Sequence, residues 1–142
     1  MKKRLKLGLI TSFLLFGFLL NAQESENKET GKICFLRSTG LRAAAVSVKT
    51  FLDGTLYCKL NNNRYSIQEV PIGRYSCFIQ LRGLKLLQNT EKLDIEVKSD
   101  KITYVQFYLE DEFLSFKFHS REISEDKANG ILNKTKEQIK CL

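Results

Sequence analysis

The sequence is poor in the residues from which recognisable active sites are built. It holds one histidine, His119, one proline and 8 glycines among 142 residues. Zinc sites usually draw on two or three imidazoles or a clustered carboxylate set, and one histidine supplies neither. A Ser-His-Asp triad would have to use His119, yet no nucleophile turn accompanies it. A glycine-rich phosphate loop, a dinucleotide fingerprint and an EF-hand spacing are all missing, so nucleotide and calcium roles have no starting point. No Cys-x-x-Cys pair is present to suggest an oxidoreductase. The expectation is a chain without cofactor, metal or catalytic residues. What is there, 43% hydrophobic and 27% charged residues, is the balance of an ordinary folded globule, and the length allows one domain plus a targeting segment.

The formal charge of +7 suggests an anionic partner until its placement is considered, because Lys2, Lys3, Arg4 and Lys6 carry four of those charges. They precede Leu7 to Leu20, an apolar run of 14 residues. A membrane-spanning helix needs about 20 apolar residues and a secretory h-region roughly 7 to 15. Asn21-Ala22-Gln23 then offers a small residue for signal peptidase. The expected organisation is a signal peptide over 1–22, a flexible polar leader over 23–31, a β-sandwich over 32–120 and a helix over 121–142 packed on it. The alternative for the first segment is an uncleaved anchor. The first cysteine is Cys34, too far on for lipidation, so the chain is expected in the periplasm or outside the cell with no membrane span after cleavage. Without the leading basic residues the remainder is +3 and dispersed, which argues against nucleic acid as a partner.

From Ile33 onward apolar residues recur mostly at every second position, the period of a half-buried strand. Ile33 and Phe35 begin it, and Val46, Val48, Thr50 and Leu52 follow. Asp53-Gly54 supplies the pair that a type I′ hairpin requires, and Leu56, Cys58 and Leu60 lie on the return. Asn61-Asn62-Asn63 turns into Tyr65 to Val70, and Pro71-Ile72-Gly73 closes that strand. Tyr75, Cys77, Ile79 and Leu81 alternate next, then Leu93, Ile95 and Val97. Ser99-Asp100-Lys101 turns into Ile102 to Leu109. Glu110-Asp111-Glu112 reads as an acidic turn before a last aromatic strand, Phe113 to Phe118. Short strands at this spacing, about seven or eight of them joined by turns too short for crossover helices, predict an all-β antiparallel sandwich. Only the last stretch changes period: Ser124 caps a helix, with Ala128, Ile131, Leu132, Thr135 and Ile139 on one stripe.

Four side-chain groups are candidates for more than packing. The cysteines Cys34, Cys58, Cys77 and Cys141 form an even set suited to an oxidising compartment, with 3 possible connectivities. In-phase placement favours Cys58 with Cys77, and the ends of the fold favour Cys34 with Cys141; buried free thiols are the alternative. Leu84, Leu86 and Leu87, flanked by Arg82, Lys85 and Lys92, mark a candidate partner-contact surface, the competing reading being strand packing. His119 reads as a surface imidazole beside a strand end. The consecutive acids Glu110 to Glu112 read as solvated, although their carboxylates could bind a divalent cation.

The order strand, Asp-Gly hairpin, return strand, polar turn, Tyr65-Ser66-Ile67-Gln68-Glu69-Val70, then Pro71-Ile72-Gly73-Arg74-Tyr75, resembles the bacterial family called domain of unknown function 2846. The resemblance continues through Ile102-Thr103-Tyr104-Val105 and the charged C-terminal helix. It implies a small exported sandwich, similar to transthyretin-like and PEGA-type modules, with no known catalytic residues. The functional expectation is a noncatalytic module that binds an envelope protein or surface polymer, its oligomeric state open. The alternative is an envelope enzyme or a carrier of a small hydrophobic ligand, with an apolar cleft between the sheets.

Overall fold

Period-two alternation gives each strand one apolar face, and that face must be buried against another sheet. The computed structural model describes residues 28–81, 91–112 and 115–142. The expected signal segment 1–22, most of the leader, and Leu84, Lys85, Leu86 and Leu87 lie outside the described residues. The strands are β1 (Thr30–Arg37), β2 (Val48–Leu52), β3 (Thr55–Leu60), β4 (Arg64–Pro71), β5 (Gly73–Leu81), β6 (Leu93–Val97), β7 (Ile102–Glu112), β8 (Ser115–Ile123) and the two-residue β9 (Lys136–Glu137), with helix α1 (Glu125–Leu132) after β8.

They form two sheets, ordered β8-β7-β1-β4-β9 and β3-β2-β5-β6. The protein is thus an all-β sandwich with a C-terminal helix. Ile33, Phe35, Val48, Leu52, Leu60, Val70, Ile79, Ile95, Val97, Val105 and Phe107 fill the space between the sheets. Asp53 and Gly54 form the expected two-residue turn between β2 and β3, both at positive φ, 47° and 84°. Gly31 is required for a different reason. A Cβ there would lie 2.4 Å from the Lys98 carbonyl oxygen, so only glycine lets β1 pass the end of β6.

Four details differ from the sequence expectation. First, β1 pairs antiparallel with β4 but parallel with β7, Lys32 lying opposite Ile102. Alternation dictates which face is buried and leaves the neighbouring strand unspecified. Second, the backbone of Glu110, Asp111 and Glu112 continues β7 and pairs with β8 from Lys117 to Ser115, so the acids belong to a strand and not to a turn. Cross-strand pairing extends the hairpin past the last apolar position of the pattern. Third, α1 ends at Leu132, where Asn133 takes the C-cap position. The predicted stripe therefore holds for Ala128, Ile131 and Leu132, which pack on Cys34, Leu36 and Tyr104 across the outer face of the first sheet. Ile139 is 85% exposed and lies beyond the helix. Ser124 is the N-cap as expected, although its side chain makes no capping hydrogen bond. The leader boundary also moves: β1 begins at Thr30, and Ile72 N–H donates to Glu29 O at 3.0 Å. Among the described residues, no helix is long and apolar enough to cross a membrane.

Candidate functional site

The two outer faces of the sandwich differ. On the first sheet, α1 covers the strip over β1 and β7. On the second sheet, the outward positions of β2 and β5 carry Phe51 and Phe78. Their chain neighbours Thr50, Leu52, Cys77 and Ile79 are buried on the opposite face. Phe51 lies in register with Phe78 across β2 and β5 and with Leu56 across β2 and β3. The two rings stack with centroids 4.8 Å apart and planes 3° from parallel. Lys49, one outward step along, is flanked by Lys59 and Gln80. The result is a half-buried aromatic pair with an aliphatic neighbour and lysines beside it, on a face that no described helix covers. A cross-strand aromatic pair stabilises its own sheet by roughly 0.2–1 kcal/mol, and at these half-buried positions it also leaves apolar surface on the outer face.

A second cluster occupies the outer face of β7 and β8. Tyr108 stands opposite His119 and Gln106 opposite Arg121. The Tyr108 and His119 rings stack at 5.5 Å, and the Arg121 guanidinium lies 4.5 Å from the Tyr108 ring centre while donating twice to Gln106 Oε1 at 3.0 and 2.9 Å. His119 Nδ1 meets Glu91 Oε2 at 2.9 Å and Nε2 meets Glu110 Oε2 at 3.1 Å. A neutral imidazole has one N–H and can donate to one of these carboxylates at a time. Each ring nitrogen has a different carboxylate beside it, Glu91 at Nδ1 and Glu110 at Nε2, so the three groups do not converge on one ion. Among the described residues there is no cluster of three or more His, Cys, Asp or Glu able to hold a metal. Sequence spacing missed this cluster, because Glu91 lies 28 residues from His119.

The cysteines pair differently from the expectation. Cys58 bonds to Cys141, with Cα atoms 4.6 Å apart, and Cys34 and Cys77 are buried free thiols. Cys58 and Cys77 stand on β3 and β5 with β2 between them. Two strand spacings of about 4.8 Å exceed the roughly 7 Å that a bridge spans. Cys34 faces outward beneath α1, whereas Cys141 joins the core between the sheets, so those two cannot meet either.

Burial pushes both free thiols from 9.0 up to about 12, with Glu137 adding to the shift at Cys34. At neutral pH both are small hydrophobes, not nucleophiles. The folded chain holds these protons more tightly than the unfolded chain, so this stabilisation is complete below about pH 9 and runs out as pH rises towards 12. The expected result is an alkaline loss of stability approaching about 1.4 kcal/mol per pH unit for each thiol. Urea titrations at stepped pH should show a shallower decline for the Cys34→Ala/Cys77→Ala protein; identical slopes would remove the thiols as the cause.

Arg37 is completely buried, on the same face of β1 as Ile33 and Phe35, at the end of the interior. Its Nη atoms donate to Ala43 O at 2.8 Å, to Leu60 O at 3.2 Å and to Val46 O. Its Nε has no partner among the described residues, and the guanidinium carbon lies 5.3 Å from the centre of the Phe118 ring. Burial pushes its pKa down to about 10, so it remains a cation at neutral pH. Because the folded value is the lower one, burying the charge costs stability below about pH 10, and that cost fades as pH rises further.

Two of the surface grooves among the described residues bear on a ligand-binding reading. One, about 640 Å³, is lined by Asp100, Lys101, Tyr104, Glu122 and Glu125 among others; the other, about 590 Å³, by Arg74, Tyr75, Asp94, Glu96 and Glu122 among others. The first mixes charged side chains with Ile102 and Ile123 in about equal parts, and the second is mainly polar. The chain matches no protein-family model, no curated protein and no solved structure.

Proposed function

We propose that the chain is an exported, noncatalytic β-sandwich module of the kind its family resemblance implies, and that it binds an envelope protein through the outer face of its second sheet. The observation that carries this reading is the Phe51–Phe78 stack, with Leu56 beside it and Lys49 and Lys59 nearby, on an outward face. Stacked aromatics supply contact area at small entropic cost, and the lysines favour a partner whose apolar segment carries acidic neighbours. The Cys58–Cys141 bond suits an oxidising compartment. The buried, protonated thiols fit a role without chemistry.

The test is affinity capture from envelope extract with the purified protein and with a Phe51→Thr/Phe78→Thr variant, each first checked for native circular dichroism and an intact disulfide. The expected result is a partner whose capture falls by about tenfold or more in the variant. Equal capture by both proteins would reject this face as the docking surface. Capture of a polysaccharide in place of a protein would reject the partner class. Amino-terminal sequencing of the protein recovered from the envelope is expected to begin at Gln23; a start at Met1 would reject cleavage.

A further inference from the structure

The segment that follows α1 is tied to both sheets at once. β9 runs parallel to β4, with Lys136 N–H donating to Asn63 O at 3.2 Å and Gln138 N–H to Tyr65 O at 2.8 Å. The Gln138 side chain then reaches the second sheet, where Nε2 donates to Lys59 O at 2.7 Å and Oε1 accepts from Asn61 N–H at 3.0 Å. Lys59 N–H in turn donates to Cys141 O at 2.6 Å, and Cys141 is bonded to Cys58. Residues 136–142 therefore lie across β3, an edge of one sheet, and β4, which would be an edge of the other without β9. Apolar anchoring is slight: Ile139 is 85% and Leu142 75% exposed, and of this segment only Cys141 enters the core.

We propose that residues 136–142 are a redox-controlled strap, and that reduction of Cys58–Cys141 by a dithiol frees them and bares the β3 and β4 edges. The remaining ties are hydrogen bonds, most of them at exposed positions, and water can replace these at little net cost. The covalent bond keeps the two partners at high effective concentration, so breaking it lets the segment fray. Cys141 is 7% exposed and Cys58 fully buried, with the exposed Leu142 next to the former, so attack falls on the Cys141 sulfur. One thiolate of the dithiol forms a mixed disulfide with Cys141 as Cys58 leaves and takes a proton. The second thiol then displaces Cys141, which takes the other proton, and the reductant closes its own disulfide. Two electrons pass to the protein. The uncovered strands present the unpaired backbone groups to which an added strand binds.

Hydrogen exchange read by mass spectrometry tests this on the whole protein, oxidised and after treatment with dithiothreitol under native conditions, with alkylation reporting thiols. Expected are alkylation of Cys141, no alkylation of Cys34 or Cys77, and exchange at Lys59, Asn61, Lys136 and Gln138 faster by about tenfold or more. Amides of β1 and β7 should keep their protection. A Cys141→Ser protein should show the same faster exchange at these four amides without reductant. Unchanged exchange with Cys141 alkylated, a bond that resists the dithiol, or loss of protection throughout β1 and β7 would each overturn the proposal, the last by making the bond a staple for the whole fold.

Discussion

Phe107→Ala is expected to lower the unfolding free energy by about 3–5 kcal/mol, against a total for a domain of this size of roughly 5–15 kcal/mol. Phe107 has no exposed surface, and its ring stacks on that of Phe35 with centroids 5.9 Å apart. The pair joins the central strand β1 to β7, so removing the ring leaves a cavity between two paired strands that cannot easily approach to close it. Urea unfolding measures the loss, with an unchanged denaturant slope showing that the folded state is otherwise intact. A loss below about 1 kcal/mol would mean that the interior collapses around the gap, contrary to tight packing between the sheets.

Arg37→Ala is the second large effect, about 3 kcal/mol. The guanidinium ties the segment after β1 to the interior by donating to the carbonyls of Ala43 and Val46, and it meets Leu60 O at the end of β3. Deleting it leaves a void and at least one buried acceptor without a donor, while removing a desolvated cation offsets part of that loss. Arg37→Met separates the contributions, because it keeps much of the volume and none of the donors. The expected cost of the methionine variant is about 2 kcal/mol, together with proteolysis near the exposed Leu41. If methionine were neutral or stabilising, the cation would be a burden on the fold and not the anchor of that segment.

The alternation over Val48, Thr50 and Leu52, and over Leu93, Ile95 and Val97, was enough to identify buried strand faces, because burial repeats with the pleat. Asp53-Gly54 was equally legible, since few residue pairs accept two successive positive φ values. The neighbours of β1 were not legible. Parallel pairing of β1 with β7 is decided by how turns carry the chain between sheets, and that leaves no period in the residues. Phe51 and Phe78 each look like an off-phase interruption of an ordinary strand; only the register of β2 on β5 stacks them. The Cys58–Cys141 bond was hidden for a related reason. Cys58 was correctly placed on the inward face, but the segment bearing Cys141 docks through a glutamine side chain and backbone groups, with no apolar pattern to announce it.

The parallel pairing also constrains the order in which the structure can form. The central strand of the larger sheet meets one partner only after a further 70 residues, since Lys32 pairs with Ile102. Such distant closure makes folding slow compared with helical bundles of similar size. Until β7 arrives, one side of β1 offers its amides and carbonyls to any passing strand, so the half-finished chain is exposed to aggregation. A chain emerging residue by residue would therefore need shielding until nearly three-quarters of its length had appeared.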